Sequence, residues 1–322
     1  MRTGPVKNKR VLIIKLGYSE TLDSALSLTT SLGDVLRTTV ILHFLKDAHV
    51  TWLVDEKALS LLEGNSYIDR ILIYKTDVIE QLKKEKHDTV INLEKVPEVC
   101  SLSDSLDAGE FFGFSFNSKN GVYGKNPGTL RLIELSRNIK EKKNNRECWQ
   151  KVLADIIGET WQGQDYILGY RPVSRICYDI GFNWTTGNKW KNKSWPRGFW
   201  EKLEEMIGNE YTLSWQKGMN SINEYIEWIN SCRVVLTADT LGLHLALALK
   251  KRVLALFGPT SPYEIYFYGC GSFILPKSPY SCVPCLKPYC DKERQCMEYI
   301  TPEMVRDRIY EELERNISAG EL

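Results

Sequence analysis

Apolar residues recur along this chain with two different spacings. Short runs at 10–16 (RVLIIKL), 50–54, 70–74 and 89–93 are rich in branched residues and predict strands. Between them, 34–45 and 56–62 carry the apolar spacing of helices. The rhythm breaks over 97–126, where Phe111, Phe112, Phe114 and Phe116 sit among Gly and Ser, which predicts loops or short irregular strands. Helical patterns follow at 129–138 and 147–158, separated by the charged run 140–146, a solvated surface.

A second series then starts, with strands at 176–181, 211–215, 234–237 and 252–257 and helices at 198–207, 221–232 and 240–249. Ser221 with Glu224 three residues later predicts a capping box. A strand near 272–275 and a terminal helix beginning near Pro302 complete the pattern. Repeated strand–helix units imply parallel sheets flanked by helices. The expectation is α/β, with two Rossmann-like domains, 1–165 and 166–322, facing across a cleft at the carboxyl ends of their strands.

Composition narrows the functional classes. The 322 residues carry 42 Lys+Arg against 41 Asp+Glu, a net charge of +1, which argues against broad electrostatic capture of nucleic acid. No apolar run approaches the roughly 18 residues that cross a bilayer. Behind the basic start, four apolar residues (11–14) meet Lys15 at once, too few for a signal-peptide core, so the expected address is the cytoplasm. Nine cysteines are then expected as thiols. Cys100, Cys148, Cys177, Cys232 and Cys270 are scattered, and read as small apolar residues.

Three segments carry candidate chemistry. In 234–260 (VVLTADTLGLHLALALKKRVLALFGPT) a strand delivers Asp239 to the start of a helix at Thr240, Leu241 and Gly242, with His244 in its first turn. Amides at a helix start attract phosphate, and Gly242 is expected to let a ligand approach closely. The plain alternative is that Asp239 caps the helix and His244 is a satisfied core histidine. In 187–196 (GNKWKNKSWP), Gly187 precedes Lys189, Trp190, Lys191 and Lys193, cations suited to a diphosphate leaving group or, equally, solvated lysines of a surface loop. In 31–39 (SLGDVLRTT), Gly33 and Asp34 open a helix, with Arg37 one turn on; Asp34 reads as a cap or as a carboxylate at the mouth of a site. Trp215 and Gln216, ending another strand, are placed by topology alone to line a nucleotide pocket.

Taken together these segments resemble glycosyltransferase family 9, the ADP-heptose heptosyltransferases of lipopolysaccharide core assembly. Lys15–Gly17 and Gly33–Leu36 resemble the family's K-x-G and G-D elements, 187–196 its G-x-x-W-x-x-K-x-W-P element, and Asp239, Thr240, His244, Ala246, Ala248 and 256–260 its D-T-x-x-x-H-x-A-x-A and L-F-G-P-T elements. The resemblance implies a GT-B fold and an inverting transfer without a catalytic cofactor. It further implies an acceptor held by the N-terminal domain at Gly17, Gly33 and Arg37, and a nucleotide-diphosphate sugar held by the C-terminal one. Asp34 would be the base, and Lys193 with the amides of Thr240–Gly242 would stabilise the leaving group. The acceptor would be a glycan, glycolipid or protein hydroxyl, and the enzyme bacterial, touching the inner-membrane surface transiently. The alternatives are a protein-serine heptosyltransferase, a UDP- or GDP-sugar transferase, and a non-catalytic nucleotide- or glycan-binding protein. One departure stands out: residues 18–31 (YSETLDSALSLTTS), a polar loop, separate two elements that are nearly contiguous in the family, making Glu20 and Asp23 rival bases.

The remaining feature is Cys282, Cys285, Cys290 and Cys296 in 282–296 (CVPCLKPYCDKERQC). Four thiols within so short a loop suit one structural zinc or iron. A reduced loop without a ligand and a redox pair are the other readings.

Overall fold

The computed structural model describes residues 9–18, 29–218 and 220–314. The chain divides into two compact units, Met1–Tyr170 and Arg171–Leu322. Both are α/β with a parallel sheet.

The first unit holds β1 (Lys9–Ile14), β2 (Ala48–Val54), β3 (Arg70–Ile73), β4 (Lys86–Asn92), β5 (Asp107–Asn117) and β6 (Gly121–Gly124) in the order β3-β2-β1-β4-β5-β6. All neighbours are parallel except the β5–β6 hairpin. Leu12, Ile14, Leu16, Leu53 and Val90 form one face of its core against Val96, Val99 and Leu102. Sequence order reverses between β1 and β4, the switch point at which such sheets open toward a ligand.

Residues 97–126 are more regular than their composition suggests. Pro97 starts a helix, Pro97–Asp104, where its missing N–H costs nothing. The phenylalanine stretch lies in β5, at 11 residues the longest strand. Gly113 escapes the usual penalty of glycine in a strand because its φ of +99° and the Asn92 oxygen beside it, 1.8 Å from where a Cβ would stand, admit no side chain. Another expectation, one helix over 34–45, is corrected: an α-helix, Leu32–Thr38, tightens into the 3₁₀ segment Thr39–Phe44. The run Thr38-Thr39-Val40-Ile41 is β-branched and stiff in χ1, which disfavours a continued α-helix.

The second unit holds β7 (Tyr178–Asn183), β8 (Leu213–Trp215), β9 (Cys232–Ala238), β10 (Arg252–Leu256) and β11 (Gly271–Ile274), all parallel, in the order β11-β10-β9-β7-β8. Phe182, Trp195, Trp200, Leu203, Leu236 and Leu254 pack its core with Val305 and Ile309 of the final helix, Pro302–Glu314. Ser221 caps the helix Ile222–Asn230 by accepting the Glu224 N–H, but the Glu224 carboxylate takes the Asn220 N–H instead of returning to Ser221, so only half of the expected capping box forms. Of the scattered cysteines, Cys100 and Cys232 are buried, whereas Cys177 is exposed and does not pack as an apolar residue.

Among the described residues no helix is long and apolar enough to cross a membrane.

Candidate functional site

At the carboxyl end of β9 the chain turns into the helix Leu241–Ala248. That helix buries every residue from Gly242 to Leu247, so polar groups collect at its start. Thr240, not Asp239, is the cap: its Oγ accepts the Gly242 N–H at 3.2 Å. Asp239 is freed for another task. Its Oδ2 accepts from Lys193 Nζ at 2.7 Å and from Thr260 Oγ at 2.8 Å, and its carbonyl accepts from the same ammonium at 3.0 Å. Burial by itself would raise the Asp239 carboxyl, but the charges of Lys193 and His244 and the hydrogen bonds from Lys193 and Thr260 outweigh it, holding the pKa at about 2.

Lys193 ends a 3₁₀ segment, Asn188–Lys193, kinked at Trp190, and its ammonium lies 5.0 Å from the Trp190 ring centre. The structure thus brings together Lys193, Trp190, Asp239, Thr240, Leu241, Gly242 and His244. It does not make Lys189 and Lys191 equal partners: Lys191 is exposed and Lys189 half-buried. Gly187 is exposed with open space where a Cβ would stand.

Gly242 has a different reason from the expected one. A Cβ there would lie 2.2 Å from Asn183 Nδ2 and 2.5 Å from Tyr225 Oη. The glycine is required by these protein side chains. Asn183, at the end of β7 and buried, donates to Thr237 Oγ at 2.7 Å and Thr240 Oγ at 3.0 Å and accepts from Tyr225 Oη at 2.6 Å. The sequence does not single out Asn183 or Tyr225, and Thr260 enters there only as the end of the L-F-G-P-T element. A polar residue closing an otherwise apolar strand is the one signal that could have pointed to Asn183.

Trp215 and Gln216 sit at the end of β8. Trp215 packs edge-on against Phe182 and Trp184, with the Arg197 guanidinium 4.2 Å above its ring. Gln216 accepts from Thr185 Oγ through its side chain and from Trp184 Nε1 through its carbonyl. Both are anchored in the wall of the unit.

In the first unit, Asp34 lies inside the first turn of Leu32–Thr38, and Ser31 holds the cap position. Its Oδ1 pairs with Arg37 at 2.9 Å, both side chains nearly buried, and the guanidinium lies over Trp149 at 4.6 Å. Gly33 is buried in the same turn. Gly17 takes a φ of +87°, and its carbonyl accepts the Ser31 N–H at 2.6 Å. The added residues therefore leave and return through one hydrogen bond, and the K-x-G and G-D elements are neighbours despite the insertion. Glu20 and Asp23 lie outside the described residues.

Holding this turn is a residue the sequence did not announce. Glu94, with no exposed surface, follows β4 and accepts on one oxygen the N–H groups of Leu16, Gly17 and Tyr18 at 2.7, 2.8 and 3.3 Å, with Lys15 Nζ at 3.3 Å. Four donors compensate a carboxylate that could not otherwise be buried.

The cysteine loop is stitched to the Lys193–Asp239 site. Asn192 Nδ2 donates to the Lys287 carbonyl at 2.9 Å, Leu286 N–H to the Pro259 carbonyl at 2.7 Å, and Gly258 packs where a Cβ would meet Cys296 and Met297 sulfurs. None of the four is in a disulfide; Cys296 is buried and Cys282, Cys285 and Cys290 are partly so. Burial, followed by the proximity of the other three, raises the Cys296 thiol to about 11. Thiols so placed are neighbours, yet among the described residues no three Cys, His, Asp or Glu converge as ligands would. The expected ligand set of Cys282, Cys285, Cys290 and Cys296 is not assembled.

Residues 217–295 match the family described as Glycosyltransferase family 9 (heptosyltransferase). This stretch contains Asp239, Thr240, His244 and Thr260. Over this stretch the chain is similar to the family 9 heptosyltransferases. A lipopolysaccharide heptosyltransferase 1 of Campylobacter coli is 25% identical over 291 residues, 74% of this chain and 84% of that protein. A lipooligosaccharide heptosyltransferase 2 of Haemophilus influenzae is 26% identical over 130 residues; the match spans only 32% of this chain and 36% of that relative. Among solved structures, the Escherichia coli ADP-heptose lipopolysaccharide heptosyltransferase II superposes with a TM-score of 0.65 at 14% identity over 94% of this chain and 98% of the other. The dodecameric iron-containing heptosyltransferase TibC, in complex with ADP-D-β-D-heptose, gives 0.59 at 11% identity over 98% and 81%. At these identities the structural likeness speaks for the family 9 fold, two parallel α/β sheets.

Proposed function

We propose that this protein is an inverting glycosyltransferase that moves heptose from ADP-heptose to a hydroxyl of a lipopolysaccharide or other surface-glycan acceptor. The observation that carries the reading is the Lys193–Asp239–Thr260 cluster at the start of a buried helix, within and beside the segment that matches family 9. The second unit would hold the donor and the first the acceptor. As the anomeric bond lengthens, charge grows on the diphosphate. Lys193 is already desolvated, so its ammonium would meet that charge with little reorganisation of water. Asp239, held by Thr260, would accept a hydrogen bond from a sugar hydroxyl. Asp34, oriented by Arg37, would take the acceptor proton, and attack passes through an oxocarbenium-like state.

The relatives named for lipopolysaccharide and lipooligosaccharide assembly support this acceptor class and a bacterial enzyme working at the cytoplasmic side of the inner membrane. A structural zinc or iron in the cysteine loop belongs to the same reading, supported by the four-thiol spacing and by the iron-containing neighbour. It would require the loop to draw its thiols together, and it takes no part in the transfer. Incubation with ADP-heptose, with and without lipopolysaccharide core acceptors, tests the activity: acceptor-dependent ADP release is expected. Release of UDP or GDP from a UDP- or GDP-linked donor only, or no nucleoside diphosphate release with any donor, overturns it.

A further inference from the structure

In the first unit a carboxylate of the chain itself stands where three successive amides converge. Gly17 lies in the left-handed region, with a φ of +87°, and bends the turn after β1 so that the N–H groups of Leu16, Gly17 and Tyr18 point to one place. A single oxygen, Glu94 Oε1, accepts all three, and Lys15 Nζ stands 3.3 Å from the same oxygen. The other oxygen, Oε2, is buried and has no hydrogen-bond partner among the described residues. Burying a carboxylate in so one-sided a way is costly, and a neutral acceptor would serve the amides at lower cost. Such a cost has an explanation where the position of the turn matters to function.

Both sides of this contact are fixed. Glu94 donates its N–H to Asn92 Oδ1 at 3.0 Å, and its carbonyl accepts from the Cys100 thiol at 3.1 Å. Asn92 in turn donates to the Phe114 carbonyl at 2.8 Å, so the carboxylate stands on the paired strands β4 and β5. On the other side, Lys15 donates its N–H to the Leu53 carbonyl and its own carbonyl accepts from Trp52 Nε1, both at 3.1 Å. Tyr18 Oη donates to Asp55 at 3.0 Å. The turn then passes its position on. The Gly17 carbonyl accepts the Ser31 N–H at 2.6 Å, and the Ser31 carbonyl accepts the Asp34 N–H at 3.2 Å. A Cβ on Gly17 would lie 2.9 Å from Val35 Cγ2, so the turn also packs directly against the helix Leu32–Thr38.

We propose that Glu94 is a positioning residue: its carboxylate clamps the turn 15–18 to β4 and, through Gly17 and Ser31, fixes the helix that carries Asp34. The inference rests on Asp34 being the base in the function proposed above. It goes beyond that reading by naming what holds the base in place although residues 18–30 lie between the turn and the helix cap.

The clamp has a kinetic signature. A general base works only within hydrogen-bond reach of the proton it takes, and a displacement of about 1 Å can cost about 100-fold in rate. Loosening the turn would displace Asp34 and leave the donor, held by the second unit in that reading, where it is. The loss then falls on kcat, and the donor KM is kept.

A double-mutant cycle on transfer from ADP-heptose to lipopolysaccharide core acceptors reads this directly. Glu94→Met removes the acceptor of the three amides, whereas Glu94→Gln keeps one oxygen for them and loses the charge beside Lys15. The expected result is a kcat lower by about 10- to 100-fold in Glu94→Met and by at least about threefold in Glu94→Gln, with the donor KM unchanged in both. In the Asp34→Asn background either change should lower the residual rate by less than about twofold, because the group it positions is already gone. Equal factors in both backgrounds, a donor KM that rises as kcat falls, or an unchanged kcat in Glu94→Met overturns the proposal. Where thermal melts show that Glu94→Met does not fold, Glu94→Gln carries the same cycle. Hydrogen exchange without any sugar gives a second reading: amides of 16–18 and 31–35 should exchange faster in Glu94→Gln, and those of 237–260 should not change. Unchanged exchange at 31–35 overturns the clamp. Faster exchange there, together with no heptose transfer by the parent protein, would reject the proposed function and leave the clamp standing.

Discussion

Asp239 keeps its charge inside the protein because Lys193, His244 and Thr260 more than offset the cost of burying it. The sign of the linkage follows. Its folded pKa, about 2, lies below the ordinary carboxylate value of 3.8, so the stabilisation is complete above about pH 4 and is lost as pH falls toward 2. This is worth about 2 kcal/mol, and Asp239→Asn should lose it at pH 7 while unfolding at pH 2 like the parent, which acid-denaturation curves would show. Lys193→Ala leaves the same carboxylate buried without its cation. It should cost about 3 kcal/mol in stability and lower the transfer rate by about 100-fold or more, with a smaller change in donor affinity. An unchanged rate in stopped assays of ADP release would remove Lys193 from the reaction. In the first unit, Asp34→Asn should preserve donor binding while transfer falls by about 100- to 10,000-fold. Retained transfer there, with loss in Glu20→Gln or Asp23→Asn, would move the base into the inserted residues.

At the scale of elements, the start of the helix Leu241–Ala248 is built by its neighbours. Asn183 of β7 and Tyr225 of Ile222–Asn230 occupy the space beside Gly242, and Asn183 ties β7 to Thr237 of β9 and to the cap Thr240. Gly242→Ala must displace a buried, fully engaged amide. A destabilisation of about 1–3 kcal/mol is expected, with weaker stabilisation by ADP, measured by thermal melts with and without nucleotide. The helix itself was legible, because an unbroken apolar run after Asp-Thr leaves few alternatives. The role of its glycine was not, because the clash comes from residues 59 and 17 positions upstream. The same limit hid Glu94. Nothing in the local pattern of 86–96 says that a carboxylate will be buried, since its four donors come from residues 15–18. β5 was hidden differently: Gly and Ser among the phenylalanines imitate a loop, and only the Asn92 carbonyl against Gly113 explains why glycine belongs in that strand.

For the molecule as a whole, two units with separate sheets allow the donor reading to be tested by location as well as by rate. A nucleotide that binds only the native second unit stabilises it by about 2.7 kcal/mol at 100 times its dissociation constant. Hydrogen exchange with saturating ADP should therefore slow in peptides covering 187–196, 215–216 and 237–260, the segments that carry Lys193, Trp215, Asp239 and Thr260. Peptides from 9–170 should remain as they were, because the Asp34–Arg37 pair and the Glu94 clamp belong to the other unit's own core. The cysteine loop gives an internal reading in the same experiment. Leu286 and Lys287 are hydrogen-bonded to Pro259 and Asn192, which flank the two polar ends of the donor cluster, so amides near 286 should slow along with 187–196 although no thiol touches the nucleotide. Protection confined to 9–170 would move the nucleotide to the first unit and reverse the proposed roles. Protection of 187–260 without 286 would show that the loop's ties to Asn192 and Pro259 do not transmit the binding energy.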